Sequence, residues 1–138
     1  MYTTLLRFAA ERCQQFSLVW RDQLRFNPSA QEIAAALEPF LVAQVHTDTW
    51  PGTCLIGHQA VVRYYQVNRK SIAALQKADG LFSWLAPDLP EDLAFYSSEA
   101  VLWLGTISHE ADAWFAEESL SRAEIVQNVP GIVLCPSA

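Results

Sequence analysis

The chain has 138 residues, 51% of them hydrophobic and 17% charged, which excludes an apolar-poor disordered chain and leaves room for one domain of ordinary size, residues 1–138. No apolar run approaches the ~18 residues of a membrane span, and Met1-Tyr2-Thr3-Thr4 lacks the basic start of a secretion signal, so a cytoplasmic location away from the membrane is expected. The formal net charge is −6, divided as +3 over residues 1–78 and −9 over 79–138, and an acidic field of that kind repels phosphate backbones and disfavours nucleic-acid binding.

Leu5, Phe8, Ala9 and Cys13 recur at helical spacing behind a threonine, which predicts an amphipathic helix near 4–14. From Phe16 the period changes to two: Phe16, Leu18, Trp20, Leu24 and Phe26 point one way, and Ser17, Arg21, Gln23 and Arg25 the other. That alternation predicts a strand, interrupted by Asp22 on its apolar face and ended by Asn27-Pro28. Ser29-Ala30-Gln31-Glu32 has the pattern of a capping box, and Ile33, Leu37, Phe40 and Leu41 place a second helix near 29–42, ended or kinked by Pro39.

His46 to Gly52 reads as a loop, and Thr53 to Val67 as a strand apolar on both faces, with Cys54, Ile56, His58 and Tyr64 on one side. Asn68 caps a third helix, 68–79, with Ile72, Leu75 and Ala78 inward and Gly80 at the position of a left-handed C-terminal cap. Leu81 to Asp92 holds Pro87 and Pro90 and is expected to cross the surface without regular structure. Leu93–Tyr96 and Ala100–Ile107 flank Ser97-Ser98-Glu99 as a hairpin. Segment 108–117 is ambiguous between helix and strand. Ser121-Arg122-Ala123-Glu124 opens a last short helix, and Pro130-Gly131 turns into Ile132–Leu134. The sum is an α+β domain: a mainly antiparallel sheet of four to five strands with three or four helices packed on it.

Leu89-Pro90-Glu91-Asp92-Leu93-Ala94-Phe95-Tyr96, followed by Trp103-Leu104-Gly105-Thr106-Ile107-Ser108-His109-Glu110, resembles a group of uncharacterised small bacterial proteins. The likeness covers mainly residues 81–115, with weaker likeness at Leu18–Leu24 and Trp50–Thr53. It implies a shared fold and carries no reaction or catalytic residue with it.

Cys13, Cys54 and Cys135 lie far apart with no Cys-x-x-Cys pair, and are expected to be three reduced, small core residues. His109, Glu110 and Asp112 form the densest local set of metal-ligand types, suited to zinc or iron, but position 113 is Ala113 where a His-Glu-x-x-His site needs its second histidine. The competing reading is a helix start favoured by its carboxylates. His58 reads as a hydrogen-bonded core residue, and His46 as a solvated one. Four positions apart on a strand, Cys54 and His58 stand roughly 13 Å from each other and cannot exchange a proton. No glycine-rich phosphate loop is present, and no cofactor is called for.

Of the five tryptophans, Trp20 and Trp103 are expected inside, while Trp50 and Trp84 sit beside proline-containing loops, where the rings either plug the ends of the sheet, the reading of greater weight, or stay partly exposed as interface anchors. With the carboxylates Asp88, Glu91 and Asp92 beside Trp84, they suggest docking onto a basic protein. The functional expectation is therefore a protein-interaction module that binds a basic partner, in its sharpest form an acidic inhibitor of the immunity-protein kind. The alternative is a small enzyme or a ligand- or metal-binding domain with a pocket near His109. Self-association that buries the aromatic content is a third expectation.

Overall fold

Local signals account for most elements, and the computed structural model describes residues 1–117 and 120–135. Helix α1 spans Tyr2–Arg12 and turns Leu5, Leu6, Phe8 and Ala9 inward. Strand β1 covers Gln15–Arg21, shorter than its alternation predicts, because the chain turns at Asp22–Gln23. Helix α2 is Pro28–Leu37; its N-cap is Asn27 rather than Ser29, since proline fits the first helical position, and the Ser29 hydroxyl instead donates to the Asp88 carbonyl at 2.7 Å. Pro39 ends the helix as expected, within a short 3₁₀ turn, and the chain continues directly into strand β2, Leu41–Thr47. Periodicity had assigned Leu41 to the helix and His46 to a loop.

The long strand expected over 53–67 divides at Gly57, where φ is +76°. A small hairpin of β3, Thr49–Trp50, and β4, Thr53–Cys54, precedes strand β5, Ala60–Gln66. Helix α3, Arg69–Leu75, is shorter than the 68–79 expected and has the Asn68 cap, to which Ser71 adds a reciprocal bond: Asn68 Oδ1 accepts from the Ser71 backbone N–H, and Ser71 Oγ accepts from the Asn68 N–H, each at 2.9 Å. Gly80 is extended (φ −170°) and takes no left-handed cap. The expected hairpin forms as β6, Glu91–Ser98, and β7, Val101–Ile107, while the stretch Leu81–Asp92, expected to lack regular structure, opens with a 3₁₀ turn at Leu81–Ser83 and gives its last two residues to β6. A 3₁₀ turn, Ser108–Glu110, leads into β8, Asp112–Phe115, so the ambiguous segment is strand, and α4 spans Arg122–Asn128 behind the Ser121 cap.

Six strands form one antiparallel sheet in the order β2-β5-β1-β6-β7-β8, with β3 and β4 as a separate pair, exceeding the four to five strands expected. Residues from all four helices pack on one face. Leu5, Phe8, Ile33, Leu37, Ile72, Leu75 and Ile125 meet Phe16, Leu18, Tyr65, Phe95 and Leu104 in a continuous core. Each such side chain contributes about 1.5–3 kcal/mol by burial. Trp103 stands edge-on between Phe8 and Phe115, with centroids 5.1 Å apart in both pairs. The second face carries a smaller cluster of Val19, Trp50, Ala60 and Val62, because Trp50 brings the β3–β4 hairpin down onto β1 and β5. Gly52 makes this possible: at φ +83° it passes so close to Trp114 and Ile107 that an added Cβ would lie 2.6 Å from the indole.

Candidate functional site

Antiparallel register fixes which residues share an end of the sheet. Arg21 and Thr47 both pair with Ala60, Val19 with Glu91, and Ile107 with Asp112. The ends of β1, β2 and β7 and the starts of β5, β6 and β8 therefore lie together. Exposed carboxylates lie along this end on both sides of the sheet, Asp22 and Asp48 on the β2–β5–β1 side and Glu110 and Asp112 on the β7–β8 side, and His46, His58 and His109 share the end.

Loop 55–59 sits at the same end, tied by Leu55 N–H to the Asp48 carbonyl at 2.8 Å and by Asp22 N–H to the Gln59 carbonyl at 3.0 Å. At its tip Ile56 is 92% exposed, next to Gly57. His46 Nε2 contacts Asp22 Oδ2 at 2.6 Å, fixing the carboxylate beyond β1 to the edge strand β2. This end thus presents a bare aliphatic side chain on a loop bonded to the backbone of Asp22 and Asp48. Arg25 is also exposed beyond β1, whereas Arg21 turns inward.

The residues singled out as a docking patch are placed differently. Trp84 is fully buried, so of its two readings the covered ring holds and the exposed anchor does not. Its indole N–H donates to Tyr2 Oη at 2.9 Å, and Tyr2 donates to the Leu75 carbonyl at 2.7 Å, so the ring locks α1 against α3. Burial drives the Tyr2 hydroxyl pKa well above its ordinary range, with the Trp84 bond opposing. Trp50 is also buried, and Glu91 and Asp92 point into the protein.

A bulge explains both carboxylates. Asp92 takes a left-handed backbone (φ +54°) where the β1–β6 register shifts, and two consecutive acids then serve the same side. Asp92 Oδ2 accepts from Trp50 Nε1 and Oδ1 from the Ser108 N–H, each at 2.9 Å. Arg21 lies over the Trp50 ring, 5.4 Å from its centroid, and its Nε is 2.9 Å from Glu91 Oε1 but off the line of a hydrogen bond. Burial raises the Glu91 pKa above the ordinary carboxylate value; Arg21 opposes the rise and Asp92 adds to it. This quartet clamps the β3–β4 hairpin to the sheet.

Of the expected acidic loop, only Asp88 remains exposed, accepting from Asn27 Nδ2 at 2.7 Å. His109, Glu110 and Asp112 are all exposed; the imidazole of His109 is 3.9 Å from Glu110, and Ala111 (φ +53°) turns the chain between Glu110 and Asp112. Among the described residues, no three His, Cys, Asp or Glu side chains are grouped to hold a metal ion. His58 lies on the exposed loop before β5 rather than in the core. Only Cys13 is buried, so the expectation of three core cysteines holds for one; Cys54 and Cys135 are exposed. Trp103 is buried as expected, and Trp20 is partly buried beneath the Arg63 guanidinium, 4.5 Å from its ring centroid.

Ile56 was missed because an aliphatic residue within a β-rich run reads as core. Gly57 was the available signal, since a glycine in mid-strand marks a bend. The chain matches no family model, no curated protein and no solved structure, and among the described residues no helix is long and apolar enough to cross a membrane.

Proposed function

We propose that the chain is a protein-interaction module that docks a basic partner at the end of the sheet carrying Ile56, Asp22, Asp48, Glu110 and Asp112. The observation that carries this reading is the nearly complete exposure of Ile56 on a loop bonded to the backbone of both Asp22 and Asp48. An isolated aliphatic side chain fills a pocket on a partner, while the carboxylates along the same end steer a cationic surface toward it and lose effect as salt rises. The partner is a protein, because carboxylates at the docking end repel nucleic-acid phosphates. In its sharper form the module is a cytoplasmic inhibitor that covers the working surface of a basic toxin or enzyme, as an immunity protein does.

Affinity capture from the host lysate, with the tagged full chain at low and high salt, tests the reading. A stoichiometric basic protein is expected, released by salt and lost with Ile56→Ala or with Asp22→Asn combined with Asp48→Asn. Capture that survives all these substitutions would overturn it.

A further inference from the structure

The second free surface at this end is a strand edge. Sheet order places β2 outermost, and its inner side is taken by β5. Among the described residues nothing pairs with its outer side. An unpaired edge presents a row of backbone N–H and C=O groups to solvent and is a template for another strand.

Proteins blunt such edges with short length, charge, proline or bulges. The opposite edge follows that rule: β8 has four residues and starts at Asp112. Strand β2 has seven residues and no Lys, Arg, Asp, Glu or Pro among them. Its one irregularity falls between Leu41 and Ala43, so Ala43–Thr47 runs in unbroken register along Tyr64–Ala60. Val42 and Val45 are 51% and 48% exposed, and Val45 pairs with Val62 of the second-face apolar cluster.

Charge selects the occupant. Apart from His46, whose imidazole is held against Asp22, the strand carries no ionisable side chain, and it is bracketed by two exposed carboxylates, Glu38 before it and Asp48 directly after it. If two copies paired antiparallel about Gln44, the Glu38 end of one would meet the Asp48 end of the other, setting like charges side by side. An extended segment that is neutral in the middle and cationic at both ends has the opposite relation, meeting a carboxylate wherever it leaves the edge.

We infer that the outer edge of β2 is a strand-addition site for an extended peptide segment whose neutral, partly apolar centre is flanked at both ends by Lys or Arg. The inference rests on the reading of a basic partner and specifies how part of that partner binds. Backbone pairing along Ala43–Thr47 supplies the attachment, and small apolar side chains beside Ala43 and Val45 extend the stripe begun by Val19 and Val62.

The test uses the full chain and a display library of nonapeptides with randomised centres, ended by Lys or, as the control, by Glu. Enriched Lys-ended peptides are expected to alternate apolar residues and to slow amide exchange across Ala43–Thr47 at least ten-fold. The Glu-ended forms should bind at least ten-fold more weakly. Val45→Lys and, independently, Ala43→Lys, both at exposed positions, should remove binding without shifting the urea midpoint. No enrichment, protection elsewhere, or equal binding of Lys- and Glu-ended peptides would overturn the inference. So would sedimentation of the free chain as a dimer that Val45→Lys dissolves, which would assign the edge to a second copy. A basic protein captured through Ile56 while β2 amides exchange unchanged would overturn strand addition and leave the interaction reading standing. Protected β2 amides without any captured protein would support the edge site and count against that reading.

Discussion

The indole of Trp50 donates to the carboxylate of Asp92 at 2.9 Å between residues 42 apart in sequence, both buried. The bond ties the β3–β4 hairpin to the bulge of β6. Because Asp92 Oδ1 is also bonded to the Ser108 N–H, one carboxylate joins the hairpin, β6 and the turn after β7.

Removing the donor should therefore appear as lost stability. Trp50→Phe leaves Asp92 Oδ2 buried without that partner and keeps only a smaller ring under Arg21, at a cost of about 1–3 kcal/mol for the unsatisfied oxygen. Urea unfolding at neutral pH measures this. An unchanged midpoint would show that the hairpin is not held by this bond.

Glu91 should give stability an inverse pH dependence. Its folded pKa lies above the ordinary value of 4.5, so between those two values the folded state binds more protons than the unfolded chain. The Glu91 contribution is then fully present below the unfolded value and is lost as pH rises through the folded one, opposite to a salt-bridged carboxylate of lowered pKa. Urea midpoints of the wild type and Glu91→Gln across pH 4 to 8 isolate it. The difference between the two proteins should change in the acidic limb, and parallel curves would contradict the assignment.

Gly105 lies beneath the Trp114 ring, where an added Cβ would overlap the indole; at Gly52 the same change also meets a backbone at φ +83°. Gly105→Ala and Gly52→Ala should each destabilise the fold by about 1–3 kcal/mol through overpacking. A lowered thermal midpoint is the readout, with altered tryptophan fluorescence marking displacement of the Trp114 ring.

The cysteines should separate by reactivity. Burial pushes the Cys13 thiol pKa up to about 12, whereas Cys54 and Cys135 are exposed. A thiol reagent at pH 8 should label two cysteines in the native chain and the third only after denaturation. Rapid native labelling of all three would mean that the end of α1 opens readily.

Ile56→Ala, by contrast, should leave the unfolding free energy from urea titration within about 0.5 kcal/mol of wild type, because the side chain packs on almost nothing. Its effect should fall on partner binding alone. Marked destabilisation would show that the residue belongs to the fold.

Elements whose signals are local were legible in the order of residues alone. The Asn68 and Ser121 caps bond backbone N–H groups three residues away, and the β6–β7 hairpin closes within its own segment. The period of α1 places Leu5, Phe8 and Ala9 on one stripe. Tertiary structure alone decided the rest. Leu41–Thr47 carries no helix-breaking signal once past Pro39, and it is a strand because β5 offers an edge beside it. Proline-containing surroundings left Trp84 open between a covered ring and an exposed anchor, and it is covered because Tyr2, 82 residues away, arrives to accept its N–H. Glu91 and Asp92 read as surface acids until a bulge turned them toward Arg21 and Trp50. Caps and periodicity act over a few residues, whereas burial depends on which distant segment arrives to cover a side chain, so the candidate docking end became visible only after the sheet had brought Asp22, Asp48 and Ile56 together.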